Sequence, residues 1–292
     1  MKKITKAVIA AAGYGTRFLP ATKNQPKEML PIIDKPIIHY LVEEAVNSGI
    51  KDIILVTRSG QSSLEDYFDS NRELEYELEK NKKSKRLREI KKIPKMANFI
   101  YVRQKGDLPY GNATPLFSVR SIIDKDEPFV YMFGDDLTIS DVPVVKQLKD
   151  VYEKEKATVV FGVQEVPREE VHKYGTVRYK KGASYKYEIE ETCEKVPPEK
   201  APSRNATFGR FIFSYEVIER ALKTPPGKDN ELWVGDIINS LADDGKKVIA
   251  QPVEGEWHTT GDPLNHLKTS FRFALLRDDI KKELKKYLKK NI

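Results

Sequence analysis

Short apolar runs rich in β-branched and aromatic residues alternate with longer amphipathic ones through the first half of this chain. That alternation limits the folds open to it more than any other feature. Lys6–Ala12, Asp52–Thr57, Phe99–Arg103 and Phe129–Phe133 are brief and largely apolar, as parallel strands covered on both faces are. Pro36–Ser48 falls between two of them, with proline at its start and Gly49 as its stop, which is helix punctuation. Asn112–Ile123 reads as a further helix. Such β–α alternation predicts a doubly wound sheet, whose ligands sit beyond the carboxyl ends of the strands.

The second half has a different grain. Ala157–Val163, Gly175–Tyr179, Tyr185–Ile189 and Phe208–Phe213 read as strands with few helices between them, and a proline-rich loop, Val196–Ser203, precedes the last. Helical patterns resume at Tyr215–Leu222, Glu231–Asp244 and Pro263–Leu276. No clean linker separates the halves and no repeat is visible, so 292 residues are expected to form one main unit.

Charge is unevenly spread. The net value is +7, yet residues 80–95 carry nine Lys/Arg against one acid, and residues 272–292 carry eight against three, leaving the rest net negative. Neither stretch interleaves the aromatics that base stacking requires, so nucleic acid is not the expected partner. Residues 72–92 offer only a narrow stripe of Leu74, Leu78, Leu87 and Ile90, fitting a solvent-facing helix or one that packs on another subunit. Phe273, Leu276, Ile280, Leu284 and Tyr287 recur at helical spacing in the C-terminal stretch, which fits docking on the body or a neighbour. No apolar run approaches the ~18–20 residues of a spanning helix, so no membrane role is expected. The basic N-terminal start breaks at once into a glycine loop with no cleavage pattern, and the lone Cys193 fits a reducing compartment; a cytoplasmic location is expected.

The segment from Ala11 to Pro36, AAGYGTRFLPATKNQPKEMLPIIDKP, has neither helical nor strand period. Loops that long inside a compact α/β protein are usually functional. Gly13 and Gly15 allow close backbone approach and can aim amides at phosphate oxygens, while Arg17, Lys23 and Lys27 concentrate cations beside them. A polyphosphate ligand is implied. The P-loop pattern is absent, and the dinucleotide fingerprint fails because Phe18 stands where its third glycine is needed.

The stretch resembles the signature of the sugar-1-phosphate nucleotidyltransferases, in the form GxGTRxLPxTKxxPKEMLPIxDKP that marks their uridylyltransferase branch. The match runs nearly unbroken from Gly13 to Pro36, and further motifs follow in the family's order. Val102-Arg103-Gln104 with Pro109–Ala113 is similar to its VRQ…LGxA segment, Phe133–Asp136 to its metal aspartate site, Lys173–Val177 to its YGxV segment, and Glu194-Lys195 with Pro197 to its EKP motif. The likeness spans residues 4–275. It implies a Rossmann-like doubly wound mixed sheet of the nucleotidyltransferase type with a small β-rich annex. Residues 1–140 would be the nucleotide-binding half, 141–271 the sugar-phosphate-binding half and 272–292 a C-terminal helix.

The implied reaction joins UTP and glucose 1-phosphate into UDP-glucose and pyrophosphate with Mg²⁺ as cofactor. The implied catalytic residues are Arg17, Lys27 and Lys195. Ala12, Gly13, Gly15, Thr16, Glu28, Gln104 and Gly111 would bind the nucleotide, Gly175 and Glu194 the sugar, and Asp135 the metal. Residues 72–92 would help build a homodimer or homotetramer. Three departures stand out. Arg204-Asn205-Ala206 replaces Ser-Asn-x-Ala, Glu231–Asp236 replaces E-x-Q-L-T-D, and Trp257–Gly261 puts Thr259 where W-x-D-x-G has a second metal carboxylate. Asp262 compensates only if its loop turns back. Thymidylyl transfer, another hexose 1-phosphate with a changed pocket around Gly175, Glu194 and Arg204, and a non-catalytic regulatory paralogue are the rival readings.

Overall fold

The structure, a computed structural model, describes residues 2–291. Its strands are β1 (Lys6–Ala10), β2 (Pro31–Ile32), β3 (Lys35–Pro36), β4 (Asp52–Thr57), β5 (Asn98–Arg103), β6 (Phe129–Phe133) and β7 (Asp136–Ile139), then β8 (Val159–Glu165), β9 (Gly175–Tyr179), β10 (Ile189–Glu194), β11 (Asn205–Phe213), β12 (Val248–Pro252) and β13 (Glu256–Thr259). Between them run α1 (Ile37–Asn47), α2 (Ser62–Tyr67), α3 (Arg72–Lys80), α4 (Ser84–Lys92), α5 (Pro115–Val119), α6 (Val144–Glu155), α7 (Glu216–Ala221), α8 (Val234–Asp243), α9 (Pro263–Leu276) and α10 (Lys281–Asn291).

A mixed sheet of nine strands organises the chain. β5, β4, β1 and β6 are parallel neighbours, and the long β11 joins them antiparallel on the far side of β6. β11 also pairs with β8 and β9; β12 extends β8 in parallel and β10 closes on β9. The period of two sorts the side chains onto two covered faces. Ala7 and Ile9, Ile53 and Leu55, and Val130 and Met132 meet α1 and α6 on one face. Val8, Ile54, Val56, Phe129 and Tyr131 meet α5, α7 and α8 on the other. The expected doubly wound mixed sheet is therefore present, and β9–β10 with the pair β7–β13 supply its β-rich annex.

β1 lies between β4 and β6, so the chain changes winding direction there, and the loops leaving β1 and β6 open side by side. Their approach is close: a Cβ on Gly134 would stand 2.7 Å from the Ala10 carbonyl oxygen. This crevice is where an open α/β sheet places ligands.

Several boundaries correct the sequence reading. Helix 112–123 shrinks to α5, because Pro115 has no amide proton and the residues before it bond elsewhere. Ala113 N donates to Leu232 O at 3.1 Å and Thr114 Oγ1 to Pro109 O at 2.5 Å. The strand expected at Tyr185–Ile189 begins where that span ends. Tyr185 and Tyr187 are aromatic because they pack against the core from a turn, whereas the polar IEETCE sequence forms β10. Residues 72–92 form two helices, broken where Lys82 takes a left-handed φ of 55° and tied by a Lys91–Glu75 ion pair at 3.7 Å. Residues 272–291 likewise divide between α9 and α10 at a turn where Arg277 pairs with Asp34 at 2.8 Å and with Asp279, and residue 292 of the expected C-terminal helix lies outside the described residues. Phe273 docks on the body against Tyr40, with ring centroids 5.0 Å apart. α6 went unread, although Val144, Val145, Leu148 and Tyr152 form its buried stripe.

Candidate active site

Two adjoining cavities, of about 480 and 460 Å³, occupy the crevice at the carboxyl ends of β1 and β6. The second is lined by Ala12, Gly13, Lys27, Glu28, Gln104 and Gly111. Thr192, Gly175, Glu194, Tyr174 and Trp257 line the first. Arg17, Asn112, Phe133, Asp135, Lys195 and Trp233 belong to both, so these six form the wall where two ligands would meet.

The loop after β1 is irregular because its sequence gives no period to either element. It makes two short 3-10 turns, Thr16–Phe18 and Lys27–Met29, the first entered through Gly15 at φ 63°. Thr22 Oγ1 donates to Gly15 O at 2.7 Å and folds the loop back. Arg17 reaches across to donate to Gly261 O at 3.2 Å. Gly15 and Thr16 shape this turn and line neither cavity.

Lys27 Nζ donates to Asp135 Oδ2 at 2.6 Å and lies 4.0 Å from Glu28 Oε1. Burial alone would depress the Lys27 ammonium, but the Asp135 and Glu28 carboxylates outweigh it and hold it above its ordinary range. Burial would likewise raise Asp135, and Lys27 overcomes that and holds it down. Glu28 is fully buried, and neither carboxylate oxygen has a hydrogen-bond partner among the described residues. Its pKa is pushed up to about 7 by burial, against the pull of Lys27.

Asp136 is occupied elsewhere. Trp257 Nε1 donates to its Oδ1 at 2.8 Å and Gly209 N to its Oδ2 at 2.8 Å, while burial and the neighbouring Asp135 raise its pKa. Below it, the fully buried Arg210 donates to Glu44 through Nε at 3.0 Å and through Nη2 at 2.7 Å, and Nη2 also donates to Asp136 O at 2.8 Å. A buried guanidinium thus braces the turn that presents Asp135.

The loop that carries Gly111 rests on the segment before α8. Leu232 N donates to Tyr110 O at 2.7 Å, and Val234 N donates to Asn112 Oδ1 at 2.8 Å. Gly111, at φ 144°, is so tightly seated that a Cβ there would lie 2.2 Å from Leu232 O. Gly175 is equally close to its partner: a Cβ would stand 2.6 Å from Glu194 Oε2.

Gly15, Thr16 and Lys23 line neither cavity, whereas the catalytic, metal, sugar and remaining nucleotide residues expected at the site each line one cavity or both. Arg204 does not: it pairs with Glu165 on the surface and lines neither, which removes it from the sugar pocket. Asp262 lines the first cavity together with Asp135 and Thr259. It caps α9, accepting from Asn265 N at 3.0 Å and from Asn265 Nδ2 at 2.6 Å. His258 pairs with Glu256 at 3.0 Å and lines neither of the two cavities. No cluster of three ligating side chains gathers among the described residues. One carboxylate, Asp135, with neutral Thr259 beside it suits a hard cation that takes its other oxygens from phosphate and water, as Mg²⁺ does. Asn112, Phe133, Thr192 and Trp233 also line the cavities without having been singled out; Asn112 and Phe133 lie within the Pro109–Ala113 and Phe133–Asp136 motifs, Trp233 is a departure from the motif around it, and Thr192 carried no signal.

A doubly wound sheet with a cationic loop, a braced carboxylate and two subsites sharing one wall defines a nucleotide-dependent group transferase of the α/β class. The chain belongs to the nucleotidyl transferase family, whose model matches residues 6–272. A Bacillus subtilis relative, the UTP–glucose-1-phosphate uridylyltransferase YngB, is 41% identical over 287 residues, covering 98% of this chain and 95% of its own. The structure of a UTP-bound UGPase from Acinetobacter baumannii superposes with a TM-score of 0.86 at 33% identity, covering 98% of this chain and 99% of the other. A UDP-glucose pyrophosphorylase complexed with UDP-glucose gives a TM-score of 0.83 at 36% identity, over 94% and 100% of the two chains. No helix among the described residues is long and apolar enough to cross a membrane.

Proposed function

We propose that this chain transfers uridylyl from UTP to glucose 1-phosphate, giving UDP-glucose and pyrophosphate. The observation that carries the reading is the shared wall, where Arg17, Lys195 and the Lys27–Asp135 pair converge between two adjoining cavities. The substrates follow from the relatives that act on them or bind them.

The phosphate oxygen of glucose 1-phosphate attacks the α-phosphorus of UTP in line, and pyrophosphate leaves on the opposite side. That phosphate is ionised at neutral pH, so no general base is needed, and the work is positioning and charge neutralisation. Arg17 and the Gly13 backbone hold the triphosphate and the departing pyrophosphate, on a turn shaped by Gly15 and Thr16. Lys27 meets the charge that builds at the α-phosphate, and Lys195 guides the incoming sugar phosphate. Ala12, Gln104 and Gly111 read the pyrimidine edge, an amide side chain offering both a donor and an acceptor. Glu28 supplies a buried acceptor beside them. Gly175 leaves room for the Glu194 carboxylate, which takes the sugar's hydroxyls. Asp135 would hold Mg²⁺ together with the nucleotide phosphates, and the ion would supply further charge neutralisation.

The wider assignments accompany this one. We place the protein in the cytoplasm, where these substrates are and where a lone thiol stays reduced. Residues 1–140 serve the nucleotide, 141–271 the sugar phosphate and 272–292 the C-terminal helical tail, as parts of one domain. Residues 72–92, folded as α3 and α4 with Leu74 exposed, are the contact surface of a homodimer or homotetramer. A single protomer in sedimentation at micromolar concentration would refute that assembly. The catalytic reading is tested by initial rates with UTP, dTTP, ATP and CTP, each against glucose 1-phosphate and other hexose 1-phosphates. The expected product is UDP-glucose, with UTP well above dTTP; equal rates would widen the nucleotide assignment, and a folded chain silent with every pair would overturn it.

A further inference from the structure

Lys195 and Trp233 face each other on the wall common to the two cavities. The Lys195 ammonium stands 5.0 Å from the centroid of the indole. Lys195 is exposed, and its long side chain would otherwise spread over many rotamers. Its backbone is fixed: φ is 47°, in the left-handed region, and its amide donates to Tyr174 O at 3.0 Å. The backbone therefore sets where the stem leaves β10, and the indole sets where the ammonium ends.

Trp233 is itself anchored on both sides. Leu232 is bonded through N to Tyr110 O and through O to Ala113 N, and Val234 N is bonded to Asn112 Oδ1. Its flanks are thus pinned to the loop that carries Gly111, in the nucleotide cavity, while its ring meets a lysine that also lines the sugar cavity. The position is one of the departures in the Glu231–Asp236 segment, where the family pattern has glutamine. An amide side chain offers no π face to a cation.

We propose that Trp233 is a positioning residue that holds the Lys195 ammonium at the junction of the two cavities, ready for the phosphate of the incoming sugar. The inference rests on the assignment of Lys195 to that phosphate. An uncharged aromatic face suits the task. It orders the ammonium by attraction to the ring quadrupole, yet it carries no anionic charge that would compete with the phosphate or repel it. A carboxylate in the same place would do both.

The test is a double-mutant cycle read on sugar kinetics. Trp233→Leu is expected to lower kcat/KM for glucose 1-phosphate by about 3- to 30-fold, the range of a partly desolvated cation–π contact. The KM for UTP should stay within about twofold, and Trp233→Phe, which keeps an aromatic face, should recover much of the loss. In a Lys195→Met background the same Trp233→Leu change should cost less than about twofold, since the contact is already gone. An equal loss with and without Lys195, or no loss at all, would overturn the proposal.

Indole emission reads the contact without turnover and without the leucine variant, should that fail to fold. The chain has two tryptophans, so the Trp233 contribution is the difference between the unaltered protein and Trp233→Phe. Lys195→Met should change the emission of the unaltered protein and leave that of Trp233→Phe unaltered. The same change in both would refute the contact. Inactivity of the unaltered chain would sink the assigned reaction, and the emission comparison would still decide whether the ring holds the lysine.

Discussion

Lys27 Nζ lies 2.6 Å from Asp135 Oδ2, so a residue of the loop after β1 is locked to one in the turn after β6. The pair closes the crevice at the switch point of the sheet and leaves both groups charged where burial opposes charge. Each holds the other in place before any ligand arrives. Removing the cation should cost what a single preorganised electrostatic donor costs, so Lys27→Ala is expected to lower kcat on the order of 10²–10³. Turnover near that of the unaltered chain in steady-state assays would remove Lys27 from the chemistry.

Glu28 should link stability to pH near neutrality. Its pKa is raised from the ordinary 4.5 to about 7 by burial. The folded state therefore binds the proton more tightly than the unfolded chain does. That stabilising contribution is full below about pH 4.5 and is lost as pH rises through about 7. Glu28→Gln mimics the protonated form, so it should stabilise the protein by up to about 3 kcal/mol at pH 8 and hardly at all at pH 4. Thermal melts at both pH values measure this, and equal melting shifts at the two would contradict it.

Thr259 and Asp135 share a corner. A Cβ on Gly261 would stand 3.4 Å from Thr259 Oγ1 and 3.2 Å from Asp135 Oδ2. Thr259→Asp would add an anionic oxygen beside the one carboxylate proposed to hold Mg²⁺, and the Mg²⁺ concentration for half-maximal rate should fall several-fold. An unchanged metal titration would place position 259 outside the coordination shell.

Arg210 and Glu44 form a buried ion pair whose partners are both committed, so cutting one leaves a charge without compensation. Arg210→Met is expected to cost about 3–5 kcal/mol in denaturant unfolding, and adding Glu44→Leu should return part of it. A double variant less stable than the single one would show that Glu44 finds other partners.

The sequence announced this site better than it announced the strands around it. Gly13, Arg17 and Lys27 lie in one local stretch whose composition suits a phosphate, so no tertiary knowledge was needed to find them, whereas Glu28 came only from the likeness to the family signature. Asp135 and Gln104 required the order of motifs. β10 was misplaced because its IEETCE sequence earns its strand only by pairing with β9, while the aromatic Tyr185 and Tyr187 imitate a strand from a turn. Arg204 stood beside the sugar motifs in the sequence but turns outward to Glu165. Trp233 reaches the cavity wall because its neighbours Leu232 and Val234 bond to Tyr110 and Asn112, more than a hundred residues earlier, a link that no local pattern encodes.

The central claim is tested most directly by pyrophosphate release from UTP and glucose 1-phosphate with Mg²⁺, run beside dTTP and an EDTA control. Release that needs the metal and both substrates, with UTP well above dTTP, is the expected result. No release from folded protein that still binds UTP would contradict the account and leave a nucleotide-binding chain without the transfer.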